Sequence, residues 1–90
     1  MPKLFEIMGY KIIIWSNENG EPIHVHVVKG KLYKQATKLW LLSDGTFIIA
    51  HNKGRIPKKV LSDIIEILNI NSDSVLNFWL TYHGYKKFYQ

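Results

Sequence analysis

The sequence predicts an α+β fold: a four-stranded antiparallel meander with two C-terminal helices packed on one face. Three observations predict it. Up to Gly54, β-branched and aromatic runs alternate with short clusters of Gly, Asn, Asp and Ser. After Pro57 the apolar residues recur every three or four positions, the period of an amphipathic helix. The connections between the early runs are too short for parallel crossovers, so neighbouring strands are expected to be antiparallel.

The first strand is Tyr10 to Trp15, an Ile-rich run closed by the turn residues Ser16-Asn17-Glu18-Asn19-Gly20. The second spans Pro22 to Val28, with Gly30 and the lysines after it marking the next turn. The third, Ala36 to Leu42, ends at Ser43-Asp44-Gly45, and Asp-Gly is a strong hairpin signal. The fourth is Thr46 to His51, ending at Asn52-Lys53-Gly54. Pro57 suits the first turn of a helix, where a missing N–H costs nothing. Val60, Leu61, Ile64, Ile65 and Leu68 form its apolar stripe, and Asn69-Ile70-Asn71 breaks it. Asn71 or Ser72 can cap a second helix with Asp73 in its first turn, Val75, Leu76, Trp79 and Leu80 on its apolar face, and Gly84 as its stop. Lys86 to Gln90 reads either as a docked tail or as a frayed end.

Ninety residues allow one domain, 1–90, with one modest core. A hydrophobic fraction of 47% with three Trp, five Tyr and four Phe supplies that core and argues against disorder. No apolar run approaches the roughly 20 residues that cross a membrane. The segment Met1-Pro2-Lys3-Leu4-Phe5-Glu6 lacks the features of a signal peptide, so a cytoplasmic location is expected. The absence of cysteine removes disulfides and thiolate metal sites. Twelve Lys and Arg against seven Asp and Glu leave a net charge of +5, which favours polyanionic partners.

Gly9-Tyr10 opens a strand that ends Trp15-Ser16-Asn17-Glu18, and Glu21-Pro22-Ile23-His24-Val25-His26-Val27 follows. These segments resemble the N-terminal signature of a small bacterial family known as domain of unknown function 4160. Ala36-Thr37-Lys38-Leu39-Trp40-Leu41 is similar to the family's third-strand motif with one extra residue, and Ile23 stands where the family has a second proline. The run from Val60 to Leu68 and Asn77-Phe78-Trp79 match its two helices. The resemblance implies no established activity. It implies a gene neighbourhood shared with small partner proteins, in the manner of toxin–antitoxin pairs.

Residues two apart in a strand point to one face, so His24 and His26 are expected side by side. With Ile23, Val25 and Val27 under the helices, His24, His26 and Val28 would face the other way, next to Ile13 and Trp15 of the neighbouring strand. Those five residues are the expected partner interface, since helices on one side leave the other face for a protein partner or a second copy. Two imidazoles can also share general acid–base work on RNA, which makes His24 and His26 the catalytic candidates of an enzyme reading. With His51 added they are the candidates for a metal site, because three protein ligands plus water is a common zinc arrangement. Against both stands the plain reading of two histidines on a half-exposed strand.

The basic residues suggest anion contacts at Lys29 and Lys31, and at Lys53, Arg55, Lys58 and Lys59. Lys58 and Lys59 fall in a helix's first turn, where cations oppose the dipole by roughly 0.3–1 kcal/mol each. A solvated lysine face is the alternative. Trp15, Trp40 and Trp79 are large enough to belong to the core, with Trp15 the exception to watch, because it shares strand parity with Lys11 and Ile13 rather than with Tyr10, Ile12 and Ile14. The expectation is a small cytoplasmic interaction module of toxin–antitoxin type, without cofactor, binding a protein partner or a second copy, with nucleic acid as a further candidate ligand and no membrane. A histidine-dependent ribonuclease-like enzyme and a metal-binding module are the rival readings.

Overall fold

The computed structural model describes residues 3–15, 20–31 and 33–90. It is an α+β fold in which one antiparallel sheet carries two helices. The sheet has five strands rather than the four expected: β1 (Lys3–Ile7), β2 (Tyr10–Ile13), β3 (His24–Lys29), β4 (Thr37–Leu41) and β5 (Phe47–Asn52). They lie side by side in chain order, a pure meander. The unexpected strand is β1, which pairs Ile7 with Tyr10 across a two-residue turn. Both turn residues have positive φ, 53° at Met8 and 83° at Gly9, as a type I′ hairpin requires. Asn or Asp usually fills the first of these positions. Methionine there hides the turn from a sequence reading.

The ladder of β2 stops at Ile13, so Ile14 and Trp15 continue without strand pairing. Most of the following turn, Ser16 to Asn19, lies outside the described residues. A short 3₁₀ turn, Tyr33–Gln35, lies against β3. Helices α1 (Lys58–Ile70) and α2 (Ser72–His83) complete the chain. Pro57 is the residue just before α1 rather than inside it, and its carbonyl takes the Leu61 N–H at 2.9 Å. Asn71 alone separates the helices, and its side chain turns back to donate to the Ile67 carbonyl at 2.8 Å.

Period-two alternation puts Ile12, Ile14, Val25, Val27, Leu39, Leu41 and Phe47 on one face of the sheet. They are buried against Leu61, Ile64, Leu68, Val75 and Trp79 of the helices, and Ile23 joins them. Each such side chain contributes roughly 1.5–3 kcal/mol by leaving water. The tail from Tyr85 onward is docked. Ile23 N–H donates to the Lys87 carbonyl at 2.7 Å, Ser43 N–H to that of Gln90 at 2.8 Å, and Tyr89 stacks on Trp40 with centroids 5.0 Å apart. The Tyr85 hydroxyl accepts the Gly20 N–H and donates to the Glu21 carbonyl, at 2.9 and 2.6 Å.

The helix-free face differs from the open apolar surface expected of it. Ile13 (2% exposed) and Val28 (0%) form a second small cluster with Ala36, flanked by Trp15. His24 and His26 are buried as well. Of the five residues expected at a partner interface, only Trp15 keeps appreciable surface. The chain covers part of this face itself, because Ala36 and Trp15 pack against Ile13 and Val28 and Trp15 stacks on His26.

A histidine- and lysine-lined cleft on the helix-free face

Antiparallel register decides which side chains meet. Across the middle strands Ile13 stands opposite His26, His26 opposite Lys38, and Lys38 opposite His51, a single transverse row. The last step depends on an irregularity. Leu39 pairs with Ile49 while Lys38 pairs with His51, leaving Ala50 as an extra residue in β5. Without it, His51 would share parity with the core residue Phe47 and lie on the helix side.

His26, Lys38 and His51 of this row floor a cleft of about 230 Å³, walled by Trp15, Lys34, Ala36 and Lys53. Trp15 stacks on His26 with centroids 3.9 Å apart and planes at 16°. Lys38 is held from two sides: its Nζ lies 2.7 Å from Glu21 Oε1 and 4.2 Å from the centre of the Trp40 ring. Lys53 is aimed by the loop that follows β5. Asn52 Oδ1 accepts from Thr37 Oγ1 at 2.6 Å and from Ile56 N–H at 3.0 Å, and Gly54 N–H donates to Thr37 Oγ1 at 3.2 Å. A Cβ at Gly54 would sit 2.6 Å from the Gln35 carbonyl oxygen, so only glycine allows this approach.

Among the described residues three lysines and two imidazoles line the cleft and no carboxylate does, with Glu21 reaching Lys38 from outside it. Burial holds the His51 imidazole below its ordinary pKa, and the neighbouring Lys53, Lys38 and His26 act in the same direction. His51 is therefore neutral at neutral pH, able to accept a proton or a hydrogen bond from an arriving group.

His24 stands apart from the cleft although it shares a strand face with His26. It is fully buried, its Nδ1–H donates to the Pro22 carbonyl at 2.8 Å, and its ring meets Trp40 and Trp79 edge-on at 5.4 and 5.3 Å. The His24–His26 pair is thus in contact, with centroids 5.1 Å apart, but only His26 borders the cleft. Among the described residues no three His, Cys, Asp or Glu side chains gather around a common point where a metal ion could sit, and His24, His26 and His51 are no exception.

The basic residues chosen from the sequence divide among separate places. Lys53 walls the cleft. Lys29 lies 6.0 Å from the Tyr10 ring centre, beside a different small cavity, and Lys31 is exposed. Arg55 is exposed and has a positive φ of 52°. Lys58 lines a groove on the helix side, and Lys59 is 3.5 Å from Asp63 one helical turn on. Of the basic run Lys29, Lys31, Lys34 and Lys38, the fold brings only Lys34 and Lys38 to the cleft. Lys38 carried a usable signal, since it shares strand parity with Ala36 and Trp40 and falls at the middle of a central strand.

The molecule is a small α+β domain, a five-stranded meander with two helices on one face and a cationic, imidazole-bearing cleft on the other. It belongs to the family described as Domain of unknown function (DUF4160), whose model matches residues 9–80. Searches of curated proteins and of solved structures returned no match. The matched span contains every residue of the cleft and leaves β1 and the docked tail outside it. No helix is long and apolar enough to cross a membrane among the described residues.

Proposed function

We propose that this protein is a small interaction module that takes a phosphate-bearing polyanion, a nucleic-acid strand, into the cleft on its helix-free face. One observation carries the reading: Lys34, Lys38 and Lys53 converge with His26 and His51 on a concave surface whose one nearby carboxylate among the described residues, Glu21, is taken up by Lys38. Lysine supplies point charges without bidentate geometry, which suits backbone phosphates and gives little base selectivity. A place in a toxin–antitoxin pair belongs to the same proposal and is supported only by the family resemblance. Fluorescence anisotropy with labelled RNA and DNA oligonucleotides tests it. Lys38 is already paired with Glu21, so binding is expected to weaken with salt at a log–log slope of about −1.4, from the two phosphates that Lys34 and Lys53 neutralise on a single strand. Lys53→Ala should lower that slope by roughly 0.7, whereas Lys38→Ala should weaken binding mainly by releasing the Glu21 carboxylate beside the cleft. Absence of binding at low salt to any oligonucleotide overturns the reading.

A second reading is favoured by the transverse row itself. His26 and His51 flank Lys38, so a phosphodiester over the lysine would have an imidazole on either side. That is the arrangement for metal-independent cleavage of RNA, one imidazole taking the 2′-hydroxyl proton and the other protonating the 5′-oxygen leaving group. It replaces His24 of the initial expectation by His51, because His24 has no access to the cleft. Loss of an RNA oligonucleotide, with a 2′,3′-cyclic phosphate product and an intact DNA control, separates this reading from binding alone.

A further inference from the structure

β5 is the last strand of the sheet, and among the described residues no strand lies beyond its outer edge. The Phe47 N–H, which points away from β4, donates to Asn69 Oδ1 at 2.9 Å. By the two-residue alternation of an antiparallel strand, the amide and carbonyl of Ile49 point the same way, and no backbone group from another part of the described chain meets them. Apolar side chains lie on both sides of this edge. Ile49, 49% exposed, is on the helix side and borders a groove of about 480 Å³ lined by Ile56, Leu61 and Ile65. Ile48, 36% exposed, pairs with Trp40 and so lies on the opposite face. A partner resting on either face would cover one of them. A strand added to the edge covers both.

The two ends of this edge carry opposite charges. β5 leaves the turn containing Asp44, an exposed carboxylate that accepts from Thr46 N–H and Oγ1 at 3.0 and 2.6 Å. Beyond its other end stand Arg55 and Lys58, and Lys58 makes no ion pair among the described residues. Antiparallel pairing of β5 with another β5 sets the acidic end of each copy against the basic end of the other, twice by symmetry. We propose that the occupant of this edge is a second copy of the chain, added through β5 in a two-fold antiparallel pair, with Ile49 of each copy seated beside the other's groove. The two sheets become one, the helices of both copies lie on one side, and both cationic clefts open on the other.

Sedimentation equilibrium on the full chain at micromolar concentration is expected to give a dimer. Ile49→Asp, at an exposed position, should give a monomer whose circular dichroism is unchanged. Asp44→Lys should raise the dimer dissociation constant at least tenfold, and adding Lys58→Asp should recover most of that loss by restoring opposite charges at each end. Hydrogen exchange supplies a check independent of any variant, since the Ile49 amide should be protected in proportion to the dimer fraction. A strict monomer overturns the proposal, and so does a dimer that survives Ile49→Asp with an unprotected Ile49 amide.

Discussion

His24 and His26 are two residues apart, yet their surroundings assign them different work. His24 is enclosed by Trp40, Trp79 and the Pro22 carbonyl, so its truncation removes a ring from a packed site and the hydrogen bond to a half-buried carbonyl. His24→Ala is expected to cost roughly 2–4 kcal/mol in chemical denaturation while leaving the affinity of the folded protein for polyanions unchanged. His51 is the residue to watch as pH changes. Its pKa is lowered by burial and then by Lys53, Lys38 and His26, from an ordinary value of 6.5. Below 6.5 the unfolded chain takes up a proton that folded His51 resists, so this residue's contribution to stability falls as pH drops through that window and is complete above it. A phosphate in the cleft reverses the preference, because it favours the imidazolium. Affinity should therefore rise as pH is lowered from neutrality, and His51→Gln should flatten both the affinity and the stability profiles.

Among the elements, the least legible in the sequence were those governed by a single backbone choice. β1 was missed because Met8, not Asn or Asp, opens its type I′ turn. The side of the sheet to which His51 points is decided by the extra residue at Ala50, and alternation alone would have placed it with Phe47. The helices were legible because their apolar spacing is long enough to outvote local ambiguity. So was the stop at Gly84, which adopts a φ of 73° and gives its N–H to the Leu80 carbonyl at 2.9 Å. Since that conformation and not crowding requires glycine, Gly84→Ala should lower stability by about 1 kcal/mol and Gly84→Asn by much less. Gly54 is the reverse case, where space is the constraint. Gly54→Ala should cost roughly 1–3 kcal/mol and weaken polyanion binding, because the loop that aims Lys53 must shift.

For the molecule as a whole, alternation and period change were enough to foresee a sheet with helices on one face, and they correctly sent Ile23, Val25 and Val27 inward. They were not enough to foresee that β3 would be covered on both faces. That follows from Ala36 on Val28, Trp15 on His26 and the rings of Trp40 and Trp79 on His24, long-range packing choices that leave no local period. The cationic cleft was legible only as a surplus of lysine. Its location needed the register, which joins residues 26, 38 and 51 in one row. If two clefts share one side of a dimer, an oligonucleotide long enough to span both should bind more tightly than one that fills a single cleft, through effective concentration and without any new contact.

The sequential order of the strands has a consequence for how the chain finds this structure. Every ladder in the sheet joins neighbours in the chain, so each pairing closes a short loop at low entropic cost. The tail is the exception, since Tyr85 reaches back to Gly20 and Glu21 across 65 and 64 residues. Contacts of such separation are expected to form after the rate-limiting step, once the meander is already paired. Tyr85→Phe leaves the Gly20 N–H without its acceptor, and the loss, about 1–2 kcal/mol, should appear almost wholly as faster unfolding with an unchanged folding rate. Stopped-flow chevrons on this one variant decide the point: a slowed folding arm would mean that the strap is part of the nucleus and that the sheet does not assemble without it.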